Sequence, residues 1–305
     1  MSAPRASLEQ WRVLQAVVDL GGFAQAAKHL HRSQSSVSYT IAKLQEQLGI
    51  SLLEIKGRKA VLTETGTALL RQSRHLLQDA IEIEQFAASL SQGWEAEIRL
   101  VVDAAFPTDM LMRALRQFEP LNRGTRVQLN EVVLSGAEDA LLEGQADIAI
   151  ASHVPPDLLG DVLMEVDFLA VSRFDHPLQR LGRELVIPDL RHEMQVVIRD
   201  SGIRGPRDVG WLGAEHRWSV SSFETATSAV CEGLGYAWLP RHRIRSLLDE
   251  GLLRPLELRE GRNYSVKLFL VYGQSRNPGP GTRQLAEMLF AMAREAPSAP
   301  SGQVE

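Results

Sequence analysis

The side chains able to carry out acid-base or covalent chemistry are scattered through this sequence. His29, His31, His75, His153, His176, His192, His216 and His242 offer proton transfer in principle, yet none stands at metal-ligand spacing or beside a nucleophile motif. Cys231 is the single cysteine, which excludes an intrachain disulfide and any two-cysteine zinc site. There is no H-E-x-x-H, no Walker loop and no G-x-G-x-x-G after a strand. An enzyme is therefore not expected, and no cofactor or metal is implied. What remains is a chemistry of recognition, concentrated in Arg32, Ser33, Gln34, Ser35, Ser36, Ser38, Tyr39 and Lys43.

Two helical patterns position that cluster. Phe23, Ala26, Ala27 and Leu30 recur at three- and four-residue steps, and Val37, Ile41, Leu44 and Leu48 do so again. Between them His31-Arg32-Ser33 has room only for a turn. Ser33 is a good N-cap, and Gly49 suits a left-handed stop. At about 100° per residue, the second stripe points one way while Ser35, Tyr39, Ala42 and Lys43 point opposite, flanked by Ser36 and Ser38. Gln34 and Arg32 stand at the N-terminal end. Such a face fits a major groove, where Gln can pair with an adenine edge and hydroxyls and Lys can take phosphates. This is the helix-turn-helix arrangement. A helical hairpin that only packs would share the apolar spacing.

At 305 residues and 44% hydrophobic, the chain can bury a sizeable core in two or three domains. No apolar run approaches the roughly twenty residues needed to cross a bilayer, and the N-terminus lacks a signal-peptide core, so a soluble cytoplasmic protein is expected. The net charge of −5 is unevenly spread. Residues 1–75 hold ten Lys and Arg against five Asp and Glu, and the remainder holds 23 against 33. A basic head on an acidic body fits a DNA-reading module joined to something else.

Leu8, Trp11, Leu14, Val17 and Val18 predict a first amphipathic helix, with Trp11 in the core. Leu52 to Leu62 reads as a hairpin with a basic tip, Lys56, Arg58 and Lys59. Thr63 caps a long helix reaching about Leu90, in which Leu69, Leu76, Ile83 and Leu90 recur every seven residues with Ser73, Ala80 and Ala87 between. Such a seam on a long helix calls for a partner helix, so a dimer is expected. From Glu97 strands alternate with helices: Ile98–Val102, Val127–Val133, Asp147–Ala151, Phe168–Val171, Gln195–Ile198, Gly235–Leu239 and Leu268–Tyr272, ending on a helix from Arg283 to Met292. That alternation predicts a parallel sheet with right-handed crossovers. The tail after Glu295 is expected to be disordered.

Residues 8 to about 90 resemble the N-terminal region of the LysR-type transcriptional regulators. Phe23, Ala26-Ala27, Leu30, Ser33-Gln34, Val37-Ser38, Ile41, Leu44-Gln45, Leu48-Gly49, Leu52-Leu53 and Leu62 to Gly66 carry the likeness. The remainder resembles the effector-binding region of the same family through Glu143 to Ile150, Asp175-His176-Pro177-Leu178 and Gly233 to Pro240. The resemblance implies an α/β fold class: an N-terminal winged helix-turn-helix at 1–64, a linker and dimerisation helix at 65–92, and a two-lobed effector domain like periplasmic binding proteins at 93–295. Lobe I would comprise about 95–166 and 266–295, lobe II about 167–265, and the tail 296–305. It further implies a homodimer or homotetramer on double-stranded operator DNA, a small-molecule effector between the lobes, and possible contact with RNA polymerase. Lys56, Arg58 and Lys59 would then lie on the wing and bind phosphates. The chain departs from the family at Ala24, Ser35 and Tyr39, where a hydroxyl residue, Pro and Arg are frequent, so the preferred DNA sequence does not carry over.

In open α/β sheets, ligands bind beyond the carboxyl ends of strands. That rule and the resemblance single out Asp103, Ala104, Phe106 and Thr108, then Ser135 and Gly136, then Arg199 and Ser201, then Ser222 and Phe223. Ser201, Ser135 and Thr108 would supply hydroxyls, and Arg199 or Arg204 would hold a carboxylate in a forked pair. Asp103 stands where the family more often has a neutral residue. A carboxylate there disfavours an anionic effector or favours one with an amine or hydroxyl, and leaves the effector's charge open. The alternative reading is a redox-sensing or ligand-independent DNA-binding regulator.

Overall fold

The computed structural model describes residues 3–56, 59–205, 207, 211–273 and 278–295. The expected tail and Arg58 lie outside those residues, and for Lys56 and Lys59 only the backbone is described. The chain divides into two compact units, Met1–Ser89 and Leu90–Glu305.

In the first unit, α1 (Leu8–Asp19), α2 (Phe23–His29) and α3 (Gln34–Leu48) pack around Val13, Leu14, Val17, Ala26, Ala27, Val37, Ile41, Leu44 and Leu52. Trp11 is only partly buried against this cluster, and Val13 takes the central place expected of it. Ser7 and Gln10 form a reciprocal cap at the start of α1. The side chain of Gln10 also donates to Gln47 Oε1 at 2.7 Å, tying α1 to α3. A hairpin of β1 (Leu53–Lys56) and β2 (Lys59–Leu62) follows. Gln45 of α3 fixes its root, because Gln45 Oε1 accepts from the amides of Leu52 and Leu53 at 2.7 and 3.1 Å.

The long helix α4 (Glu64–Ser91) starts on the Thr63 hydroxyl, which accepts from the Gly66 amide at 2.9 Å. Arg74 of α4 is hydrogen-bonded to Asp19 of α1. Of the heptad residues, Leu76, Ile83 and Leu90 are exposed, Ile83 to 69%, while Leu69 and Leu70 pack into the core.

The second unit is one nine-stranded sheet with helices on both faces. Its elements are β3 (Glu97–Asp103), α5 (Thr108–Phe118), β4 (Arg126–Val132), α6 (Gly136–Leu142), β5 (Ile148–Ala151), β6 (Gly160–Arg173), α7 (Pro177–Arg180) and α8 (Ile187–Arg191). Then come β7 (Gln195–Ile198), β8 (Arg217–Val220), α9 (Phe223–Cys231), β9 (Tyr236–Pro240), α10 (Arg245–Asp249), β10 (Leu253–Pro255), β11 (Asn263–Tyr272) and α11 (Pro280–Glu295). The strands lie in the order β4-β3-β5-β11-β6-β9-β7-β8, with β10 on β6.

The expected all-parallel sheet is corrected here. β3 runs parallel to β4 and β5, and β7 runs parallel to β8 and β9, but β6 and β11 pair antiparallel with each other and with the strands on either side. The reason is topological. Two long strands cross the middle of the sheet, one leaving the first half and one returning to it, so they must run in opposite directions. Val166 stands opposite Val266 at that crossing.

Alternation along β3 sends Ile98, Leu100 and Val102 to the side covered by α5 and α11, and Val101 to the side covered by α6. Glu95 caps α11, accepting from the amides of Gly281 and Thr282 at 3.0 and 3.1 Å. Arg99 grips Asp147 through two hydrogen bonds and the Gly144 carbonyl through a third, which fixes β3 against β5.

Gly66 sits where a Cβ would come within 2.1 Å of the Leu52 carbonyl oxygen. In an ordinary helix, Gly→Ala stabilises by roughly 0.5–1 kcal/mol. Here Gly66→Ala should instead destabilise the first unit by about 2 kcal/mol or more, read as faster amide exchange across α1–α3 and a lower urea midpoint.

Candidate nucleic-acid interface and ligand cleft

The short turn between α2 and α3 is closed by His31 in the left-handed region, φ 52°, with the Arg32 amide donating to the Ala27 carbonyl. Ser33 then caps α3, its hydroxyl accepting from the Ser36 amide at 3.2 Å, and Gly49 ends the helix at φ 71°. With Val37, Ile41 and Leu44 buried, the opposite face turns outward. Arg32, Ser33, Gln34, Ser35, Ser36, Ser38, Tyr39, Ala42 and Lys43 are all exposed, Tyr39 to 68%.

Several of these side chains are already oriented. The Ser35 and Ser33 hydroxyls lie 3.0 Å apart, and Arg32 pairs with Glu9 at 2.8 Å. Glu9 is shared with Arg12, so one carboxylate of α1 holds two guanidiniums beside the start of α3. An exposed tyrosine and a row of small hydroxyls are not what a packing helix presents. They are what a helix needs to approach a duplex closely.

The other candidate site lies within the second unit, where the turn after β3, the turn after β4 and the loop after β7 converge. The hydroxyls expected to face a ligand are engaged elsewhere. Ser135 donates to Asp200 Oδ2 at 2.6 Å, and its amide donates to Asp200 Oδ1. Ser201 Oγ accepts from the Val133 amide at 2.8 Å and donates to the Val133 carbonyl at 3.0 Å. The glycine after each serine makes the approach possible. A Cβ on Gly136 would meet Ser201 Oγ at 2.2 Å, and one on Gly202 would meet Ser135 Oγ at 2.0 Å.

More bonds reinforce this clasp. Asp139 accepts from the amides of Ile203 and Arg204, Arg204 pairs with Glu143, and Arg207 pairs with Glu138 at 2.7 Å. Arg204 is thus committed to Glu143, whereas Arg199 is exposed. Thr108 and the Ala104 carbonyl both accept from Arg243, which reaches across from the other half. Phe106 is core and Ser222 caps α9. Ser135, Ser201 and Thr108 thus stand at seams between packed elements that already use their hydroxyls.

Of the expected ligand residues, Asp103 and Phe223 line an enclosed pocket between the halves, and sequence reasoning missed most of its wall. The wall is aromatic and aliphatic: Phe168, Trp211, Trp238 and Tyr264 join Phe223. The pocket is narrow, with about 70 Å³ open to the centre of a water-sized sphere, and it opens to solvent at its mouth. Asp103 is 3% exposed and accepts from the Ala105 amide at 2.9 Å, with Ser152 and the Leu134 amide as further donors. Burial nevertheless pushes its carboxyl up to about 6, and Asp200 adds like-charge repulsion.

Elsewhere, desolvation pushes His153 and His176 down and His242 down to about 4; of the three, His176 is buried in the packing. Burial and Glu232 hold the Cys231 thiol above its ordinary value, which makes it a poor nucleophile. Among the described residues no group of three or more His, Cys, Asp or Glu could hold a metal, and no helix is long and apolar enough to cross a membrane.

A helix-turn-helix followed by a hairpin, joined to a sheet domain with a pocket between its halves, fits a DNA-binding protein that carries a separate ligand domain. Residues 8–67 match the bacterial regulatory helix-turn-helix protein, lysR family, and residues 91–294 match the LysR substrate binding domain. The chain belongs to the LysR family of transcriptional regulators, which are not enzymes. Similar proteins include the uncharacterized HTH-type transcriptional regulator YeeY of Escherichia coli K12, 33% identical over 255 residues and 81% of each chain. The probable HTH-type transcriptional regulator YhaJ of the same strain is 30% identical over 81% of this chain and 85% of its own. In fold the chain resembles full-length LysG of Corynebacterium glutamicum with bound effector Arg, at TM-score 0.52, 18% identity and coverage of 96% and 100%.

Two outcomes are expected at the cleft. Gly202→Ala has no backbone strain to relieve, so its Cβ must displace Ser135 from Asp200, at about 1–3 kcal/mol; hydrogen exchange of the segments around Val133 and Ser201 should rise, with α1–α3 unaffected. Asp103 titrates near 6 in the folded chain against 3.8 when unperturbed, so its stabilising contribution is full below about pH 4 and is lost as pH rises through about 6. Asp103→Asn should remove a matching slope, on the order of 1–3 kcal/mol, from urea stability measured between pH 4 and 8.

Proposed function

We propose that the protein is a cytoplasmic regulator that grips a pseudo-palindromic operator as a dimer or a dimer of dimers, with RNA polymerase as a downstream partner. A small molecule in the cleft between lobe I (about 95–166 and 266–295) and lobe II (about 167–265) then shifts the population between two assemblies. The observation that carries the DNA half is the fully outward hydroxyl and basic face of α3. Gln34 and Ser35, at its first turn, are the base readers, while Arg32, Ser33, Ser36, Ser38, Tyr39 and Lys43 take backbone contacts. Lys56, Arg58 and Lys59 take the phosphates beside the wing.

Dimerisation is supported by the exposed Leu76, Ile83 and Leu90 on one seam of α4. The effector half is supported by the enclosed aromatic pocket and by LysG, whose solved structure carries Arg as its effector. Asp103 and Phe223 would touch the effector directly. The turns that carry Ala104, Thr108, Ser135, Gly136, Ser201 and Ser222 would support the pocket wall from behind, and Arg199 is exposed beside them. The partly buried thiol of Cys231, held above its ordinary value, disfavours the redox alternative.

Genomic footprinting with the purified full-length protein tests this reading, starting with the DNA upstream of its own gene. Gln34→Ala should cost about 1–3 kcal/mol on the bound site and relax discrimination at one base pair, whereas Lys43→Ala should weaken all duplexes alike and lower the salt slope by about 1. Identical footprints for Gln34→Ala and wild type would remove Gln34 from base reading.

A further inference from the structure

The pocket between the halves holds two acceptors and no cation. Asp103 is 3% exposed at its inner end, and Gln195 is 2% exposed in its wall. The Gln195 amide nitrogen donates to the Trp211 carbonyl at 2.7 Å, while its Oε1 has no hydrogen-bond partner among the described residues. A buried carbonyl oxygen left unpaired costs free energy that a donor on a ligand would recover. No Lys, Arg or His lines the pocket. The charged neighbour acting on Asp103 is Asp200, of the same sign, so the buried carboxylate lacks a counter-charge.

The remaining wall is aliphatic and aromatic, with five rings among Val, Leu and Ile side chains. Phe168 and Tyr264 stack at 4.9 Å between centroids, and Trp211 and Trp238 tilt against each other at 6.4 Å. Ring faces attract cations and shed water. Arg243 already sits over one ring of this wall, Phe223, at 5.6 Å from outside the pocket.

From these groups we infer that the cleft binds a small ring-bearing or branched apolar molecule carrying a protonated amine, whose N–H groups donate to Asp103 and Gln195 while its body lies among the aromatic rings. The inference rests on the proposed effector role of this cleft and narrows it to one chemical class. An anionic effector would place its charge against a carboxylate that has no counter-charge and against the unpartnered Gln195 Oε1, with no guanidinium or ammonium lining the pocket to receive it.

The groups that face Asp103 set the pH response. Ala105 and Leu134 contribute amides, Ser152 a hydroxyl with His153 at 3.3 Å behind it, and Asp200 a charge. From the far side come Gln195, Tyr264, whose hydroxyl burial pushes up to about 12, and the two tryptophans, none of which ionises near neutrality. Asp103 therefore governs the charge presented to a ligand between pH 5 and 8, and an ammonium should bind better as the pH rises through about 6.

Calorimetric titration of the full-length protein with 2-phenylethylamine, 2-phenylethanol and 3-phenylpropanoate tests the class. The amine is expected to bind at least tenfold tighter than the alcohol, the carboxylate more weakly than either, and the amine about tenfold weaker at pH 5 than at pH 7.5. Asp103→Asn should cost the amine tenfold or more and the alcohol less than threefold, and Gln195→Met should cost the amine severalfold should the first variant fail to fold. Equal affinity for carboxylate and amine, amine binding that ignores both substitutions, or no binding of any probe overturns the inference. Footprints taken with each probe separate the two readings. Carboxylate that binds and alters the footprint keeps the effector cleft and removes the amine class; amine that binds without altering it keeps the class and removes control of DNA.

Discussion

The second unit depends on a reciprocal approach of two Ser-Gly turns. Ser135-Gly136 follows β4 and Ser201-Gly202 follows β7, and each serine hydroxyl occupies the space that the other turn's glycine leaves empty. Asp200 accepts four hydrogen bonds around that contact, from the amide and hydroxyl of Ser135 and the amides of Gly202 and Arg207. Beside the locked turns, Asp103 is 3% exposed and lines the pocket together with the aromatic wall. Burial of that carboxyl raises its proton affinity, and Asp200 of the clasp adds like-charge repulsion.

The first unit works by the opposite principle, since its polar groups are turned out rather than in. Buried Val37, Ile41 and Leu44 fix the rotation of α3 about its axis, and that rotation alone decides which hydroxyls meet solvent. The wing follows because Gln45 leans back from the same helix to hold the amides of Leu52 and Leu53. Helix α3 and the root of the hairpin are therefore tied together.

How much of this was legible depended on whether a signal lay within one element. The helix pair, its cap at Ser33 and its stop at Gly49 each follow from spacing inside a few turns, and so were readable. So was the strand at Phe168–Val171, but not its continuation back to Gly160: Asp161, Glu165 and Asp167 interrupt the apolar run there, because that end has exposed positions. β8 was invisible for a related reason, being an edge strand whose Trp218 is half exposed. The antiparallel centre of the sheet could not be seen, since strand direction is a property of connections rather than of residues. The pocket escaped for the strongest reason. Phe168, Trp211, Trp238 and Tyr264 come from four distant segments, and only the pairing of β11, β6 and β9, with the loop after β7, brings them together. Ser135 and Ser201 were recognised as residues of the cleft, yet their hydroxyls serve each other's turn, a relation that no single-turn reading contains.

The two halves of the sheet are joined by a ladder, not by loose tethers. β6 and β11 stay hydrogen-bonded through the crossing from Asn263 opposite Leu169 to Val271 opposite Gly160, with one irregular step between Leu268 and Phe269. A two-stranded ribbon resists stretching and sideways slip but yields to twist, and the irregular step is where the ladder is weakest. Any parting of the halves must therefore be a rotation about the ribbon axis that leaves most rungs intact. Displacement then grows with distance from that axis, so a subtle change beside Val166 becomes a large one at the outer ends of β4 and β8.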